Sequence, residues 1–276
     1  MMNHGGKNPV GVFDSGVGGL SVLRAIREQL PNEAILYFGD QAHVPYGLRP
    51  LEEIREYSFA ITRFLLGRDA KLIVVACNTA SAAALNSLRL GFPDIPFVGM
   101  EPPVKPAVEI THTGIVGVLA TPATFQGALY ASVVERFAEN VTLLQNTCPG
   151  LVQEIENGAI NGRKARIILE TALHPMMERG IDTVVLGCTH FPFVIPLIQE
   201  IVGSNVRVID PAPAVARQVG RLLDIKGLRT DGIYSESPLY FTSGELKKFR
   251  ELLPTLLKEK GNIRKVTWKN HIIKMA

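Results

Sequence analysis

Short apolar, β-branched runs alternate with stretches of helical period along most of the chain. Runs at 10–13, 34–38, 72–76 and 97–98 predict strands, and 20–30, 51–66 and 80–90 between them predict amphipathic helices. The alternation then starts again. Strands are expected at 115–119, 141–144, 183–186 and 206–209, with helices at 124–137, 151–157, 163–179 and 193–201. A pattern of this kind predicts an α/β protein whose parallel sheets are covered by helices.

The two series also register by position. Gly11-Val12-Phe13-Asp14-Ser15 answers Gly117-Val118-Leu119-Ala120-Thr121, 32–38 answers 140–145, and Cys77 answers Cys188, at offsets of 106, about 108 and 111 residues. Nearly equal offsets predict two similar domains related by a pseudo-twofold duplication, with a period longer than that of solenoid repeats. A chance match between ordinary α/β segments is the competing explanation. Beyond the second series come a helix to about residue 223, a strand at 239–242, a helix with Leu246, Phe249, Leu252, Leu253, Leu256 and Leu257 at helical spacing, and a strand at 265–268. These have no counterpart in the second series and are expected to return to the first. The expected division is therefore 1–98 plus 209–276, a discontinuous first domain, and 99–208.

Composition adds limits. A chain of 276 residues that is 46% hydrophobic can build two modest cores. No apolar run approaches the roughly 20 residues of a membrane span, and residues 1–9 lack the apolar core of a secretory signal, so a soluble, cytoplasmic protein is expected. Three cysteines without a CxxC pair or a histidine cluster argue against a disulfide framework and a structural zinc, and no metal site is expected. The net charge of +3 is uneven: 245–276 holds nine Lys/Arg against three acids. Nucleic acid is one partner such a segment could take, but its helical apolar spacing favours a solvated amphipathic helix.

Ligands of open parallel sheets bind beyond the carboxyl ends of the strands. Asp14, Asp40, Cys77, Thr121, Cys148 and Cys188 all fall at or just after such ends, and two sheets facing each other by those ends would bring them into one cleft. The run Asp14-Ser15-Gly16-Val17-Gly18-Gly19-Leu20-Ser21 fits a dinucleotide fingerprint poorly. Ser21 stands where a third glycine is needed, and Asp14 would face the anion. A tight turn with Asp14 capping the helix is the plainer reading. The loop 38–47 offers Tyr46 and Gly47 to the cleft.

A lone cysteine after a strand is usually a small buried hydrophobe. Two at equivalent ends of duplicated units, each followed by polar residues, ask for more. A thiol at a helix N-terminus is easier to ionise. Asn78, Thr79 and Thr189 supply donors for a carboxylate, His190 can exchange protons with Cys188, and Asp14 can assist Cys77. Two thiols on opposite sides of one carbon suit removal of a proton from one face and its return to the other, which is a racemase or epimerase reaction. A disulfide-cycling pair would not need the polar pockets. Cys148 reads as buried, and Glu156 either reaches the cleft or ends a solvated helix.

The stretches GVFDSGVGGLSVL, YFGDQAHVPYG, VVACNTASA, GVLAT, CPGLV, VVLGCTHFP and IDPA, in that order, resemble the glutamate racemase family of the aspartate/glutamate racemase superfamily, from residue 10 to about 268. The resemblance implies two facing α/β domains with the active site between them and no cofactor. It implies interconversion of L- and D-glutamate for bacterial peptidoglycan and, in many members, a homodimer. By resemblance Cys77 would deprotonate D-glutamate and Cys188 L-glutamate, assisted by Asp14 and His190. Asp14, Ser15, Tyr46, Gly47, Asn78, Thr79, Thr121, Thr189 and His190 would contact substrate. Gly127, where a serine is expected, departs from the pattern, and 269–276 reads as an extension. Two rivals stay open: a related racemase acting on another substrate such as aspartate, and a non-catalytic binding protein using the same cleft.

Overall fold

The computed structural model describes residues 7–232 and 237–276; most of the 1–9 stretch read for a signal lies outside them. The first series forms β1 (Val10–Asp14), α1 (Leu20–Gln29), β2 (Ile35–Gly39), α2 (Leu51–Leu66), β3 (Leu72–Val75), α3 (Asn78–Gly91) and β4 (Phe97–Gly99). The second forms α4 (Val104–Ile110), β5 (Ile115–Ala120), α5 (Pro122–Gln126), α6 (Ala128–Phe137), β6 (Thr142–Asn146), α7 (Leu151–Glu156), α8 (Arg163–Glu178), β7 (Thr183–Gly187), α9 (Ile195–Val202) and β8 (Arg207–Ile209). The chain ends with α10 (Ala212–Ile225), β9 (Leu239–Thr242), α11 (Leu246–Leu257), β10 (Asn262–Lys269) and β11 (Ile272–Met275).

The strands make two sheets, ordered β11-β10-β9-β2-β1-β3-β4 and β6-β5-β7-β8. All pairings are parallel except β10 with β11. The order β2-β1-β3-β4 recurs as β6-β5-β7-β8, so the first strand of each series is flanked by the second on one side and the third on the other. That reversal creates a crevice at the carboxyl ends of β1 and β3, and another at those of β5 and β7. Every residue of β1, β2, β3 and β7 is buried. Helices cover both sheet faces, which is why these strands read as unbroken apolar runs rather than alternating ones. β9 and β10 join the first sheet through β2, and α10 packs on α1.

Three local differences from the sequence reading have physical causes. The helix expected over 124–137 is two helices, α5 and α6. Gly127 between them is extended (ψ 138°) and lies against Ala82 of α3, where a side chain would not fit. Helix α4 was not anticipated: only Val104 and Ala107 are buried in it, and Pro106 disguises it. Proline is tolerated there because first-turn N–H groups have no partner within the helix. The stretch read as an extension closes a hairpin, with Asn270 and His271 at φ 50° and 60° turning β10 into β11.

Candidate active site

β1 ends in Asp14, and the turn after it lies against the second unit. Asp14 does not cap α1, whose N-cap is Gly19 without a side-chain bond. Its Oδ1 instead accepts from the Gly16 N–H at 2.8 Å, and its Oδ2 accepts from Thr189 Oγ1 at 2.9 Å. Thr189 is held a second time, because Ser21 Oγ donates to its carbonyl at 3.0 Å. Burial pushes the Asp14 carboxyl above its ordinary value, against the lowering effect of the His190 charge and these hydrogen bonds. The glycines of this turn now have a reason other than phosphate. A Cβ at Gly16 would overlap the Glu156 carboxylate, and one at Gly18 the His190 ring.

Cys77 follows β3 and is the N-cap of α3, its Sγ accepting from the Ala80 N–H at 3.4 Å and lying 3.9 Å from Ser15 Oγ. The sequence reading expected this position to ease ionisation, but the reverse holds. A helix terminus is worth about 0.3–1 kcal/mol, under one pK unit, whereas burial can move a pKa by several. Burial therefore pushes the thiol well up, and the Asp14 charge adds to it. Asn78 follows, buried, and both polar atoms of its amide lack a hydrogen-bond partner. Thr79 Oγ1 meets Thr121 Oγ1 of the second unit at 2.8 Å, and Thr121 caps α5.

Cys188 follows β7, at the position in the second sheet that Cys77 holds in the first. Its Sγ lies 3.9 Å from His190 Nδ1. The other ring nitrogen is 2.7 Å from Glu156 Oε1, which also accepts from the Val17 N–H at 2.7 Å, while Oε2 accepts from Gln41 at 2.9 Å. Burial works against a charge on either group, yet the contacts prevail. Hydrogen bonds and charge from Cys188 and Glu156 raise the His190 pKa well above its ordinary value, and the bonds from His190, Gln41 and Val17 lower that of Glu156.

These side chains enclose a cavity of about 20 Å³ between the sheets. Cys77, Cys188, Ser15, Tyr46, Gly47, Asn78, Thr79, Thr121, Thr189 and His190 all line it, with Pro45 and Val152. Asp14 stands one layer back. Its carboxylate bonds Thr189 and its charge acts on Cys77, while Ser15 supplies the hydroxyl beside the Cys77 sulfur. Glu156 is the residue whose role the sequence left open. Val152, in the wall, and Glu156 lie four apart on α7, hence on one helical face, which carries Glu156 to the site. Cys148 is buried, its thiol pushed up to about 12 by burial. Among the described residues no cluster of three or more His, Cys, Asp or Glu could hold a metal, and no helix is long and apolar enough to cross a membrane.

Residues 10–219 match the Asp/Glu/Hydantoin racemase family. A glutamate racemase of Pseudomonas paraeruginosa is 48% identical over 258 residues, 94% of this chain and 97% of its own. A glutamate racemase isoform from Bacillus anthracis superposes with a TM-score of 0.85 at 31% identity, covering 96% of this chain and 98% of that one. The Francisella tularensis glutamate racemase solved in complex with D-glutamate gives 0.82 at 29% identity, covering 95% and 98%. The chain belongs to the Asp/Glu/Hydantoin racemase family and groups there with the glutamate racemases.

Proposed function

We propose that this cleft interconverts L- and D-glutamate without a cofactor, using Cys77 and Cys188 as two opposed proton carriers. One observation carries the reading: two thiols, each at the end of the third strand of its own sheet, line a single buried cavity. The thiolate form of one sulfur takes the α-proton, the electron pair stays on the α-carbon and its carboxylate, and the other sulfur delivers its proton to the opposite face. Cys77 acts on D-glutamate and Cys188 on L-glutamate. His190, held by Glu156, keeps a proton beside Cys188, and Asp14 fixes Thr189.

The Asn78 amide, buried and unpartnered, supports a polar ligand in this cavity, since leaving such a group unpaired costs about 1–3 kcal/mol. Asn78, Thr79 and Thr121 are donors suited to carboxylates, whereas the Thr189 hydroxyl proton is held by Asp14. About 20 Å³ holds roughly one water, so the two units part to admit an amino acid and close on it. The division into 1–98 plus 209–276 and 99–208 fits this motion, because the chain passes between the sheets near 99–104 and 209–212. The biological role that follows is supply of D-glutamate to peptidoglycan synthesis in the cytoplasm.

Purified Cys77→Ala and Cys188→Ala variants test the pair. Each is expected to lose racemisation by more than about 10³-fold while still binding D-glutamate in calorimetry. A single variant with near-normal turnover would show that the thiols do not act together.

A further inference from the structure

Asp40, at the end of β2, is fully buried and makes no part of the cavity wall, yet four side chains converge on it. Ser243 Oγ and Trp268 Nε1 reach Oδ1, each at 2.7 Å, and Tyr46 Oη and His43 Nδ1 reach Oδ2 at 2.6 and 2.8 Å. A carboxylate only accepts, so all four donate, and both oxygens are fully used. The Tyr46 hydroxyl proton is therefore spent on Asp40, while Tyr46 itself lines the cavity. Two of the four donors come from the C-terminal part of the chain. Trp268 stands on β10 and Ser243 just after β9, where Lys265 of β10 holds the Ser243 carbonyl at 2.6 Å. The Trp268 ring also packs on His43 and Tyr57, with centroids 5.0 and 5.3 Å apart.

The other end of the same loop leaves no slack. A Cβ at Gly47 would sit 2.7 Å from Thr121 Cβ of the second unit. Any shift of the loop therefore changes both the cavity wall and the contact between the units.

We infer that β10 is part of the substrate site at one remove: Trp268 and Asp40 are positioning residues that lock Tyr46 and Gly47 against the cavity. This rests on the cleft being the glutamate site proposed above.

Trp268→Phe keeps an aromatic ring on His43 and Tyr57, though a smaller one, and deletes the N–H to Asp40. It is compared with wild type, Tyr46→Phe and the double variant for kcat and KM in both directions, for thermal unfolding, and for hydrogen exchange of amides 40–48. The expected result is a rise in KM of about tenfold, the worth of one hydrogen bond to a charged group, with a smaller change in kcat and in Tm. Tyr46→Phe should act alike, and the double variant should add little, because both act through Asp40. Exchange across 40–48 should be faster in Trp268→Phe whether or not substrate is present. A lowered Tm with unchanged KM, or fully additive effects, would overturn the inference by reducing Trp268 to a packing residue. Exchange needs no substrate, so it also separates the two readings: a wild type without glutamate turnover sinks the proposed function, and unchanged exchange in Trp268→Phe sinks the lock.

Discussion

His190 has the Cys188 sulfur on one ring nitrogen and Glu156 on the other, and its raised pKa depends on both. A raised pKa means that the proton, and the stability of the Glu156–His190 pair, are fully present below the ordinary histidine value and are lost only as pH rises through the elevated one. Glu156→Gln removes the charge and keeps the shape. The alkaline limb of kcat/KM for L-glutamate is then expected to move to lower pH, and an unmoved limb would show that Glu156 does not hold that proton. At this scale the sequence was informative where chemistry sits at strand ends. Cys77 and Cys188, with the polar residue or two after each, could be picked out because an apolar run stops there. It misled on Asp14 as a cap of α1, since its hydroxyl partner Thr189 lies 175 residues away, and on the ease of ionising Cys77, because burial depends on the opposing unit. Cys77 and His190 also make the two sides of the cavity chemically unequal, since burial raises the thiol on one side and contacts with Glu156 and Cys188 raise the imidazole on the other.

Among the elements, strands in the sheet interiors were the most legible, since burial on both faces leaves a continuous β-branched signature. The least legible was β11, which is largely exposed and carries no apolar alternation, whereas the partly buried edge strand β6 still showed at 141–144. The turn 111–113 before β5 is tied to the start of β7 by Asp182, which accepts from Thr111 Oγ1 and from the His112 and Thr113 N–H groups. Slight burial opposes its charge, but these hydrogen bonds outweigh it and hold the carboxyl at about 2. Because the folded value is depressed, the stabilisation is present above the ordinary carboxylate range and lost as pH falls through about 2. Asp182→Ala should cost about 1–2 kcal/mol at neutral pH, in the range of a lost cap, read from urea midpoints. The deficit relative to wild type should shrink in acid. A constant deficit from pH 7 to pH 2 would mean that packing, not the carboxylate, is lost.

For the whole molecule, the repeated strand order brings two similar sequence stretches to opposite sides of one cavity. Cys77 and Cys188 hold the same position in their respective sheets, and the sheets meet by the ends that carry them. The duplication was legible because the offsets nearly agree. The closed cleft was not, because closure rests on contacts such as Thr79 with Thr121 and Glu156 with Val17, whose members lie 42 and 139 residues apart. Two separate proton carriers have a consequence that a single base lacks. The proton taken from one face is not the proton returned to the other. The direct measurement is the first turnovers of D-glutamate in D2O without added cofactor, with both enantiomers recovered and analysed for α-deuterium. Two opposed thiols predict that the L-glutamate formed carries deuterium while recovered D-glutamate keeps its protium. Equal early labelling of both enantiomers, or no inversion at all, would contradict the assignment of Cys77 and Cys188 as the pair.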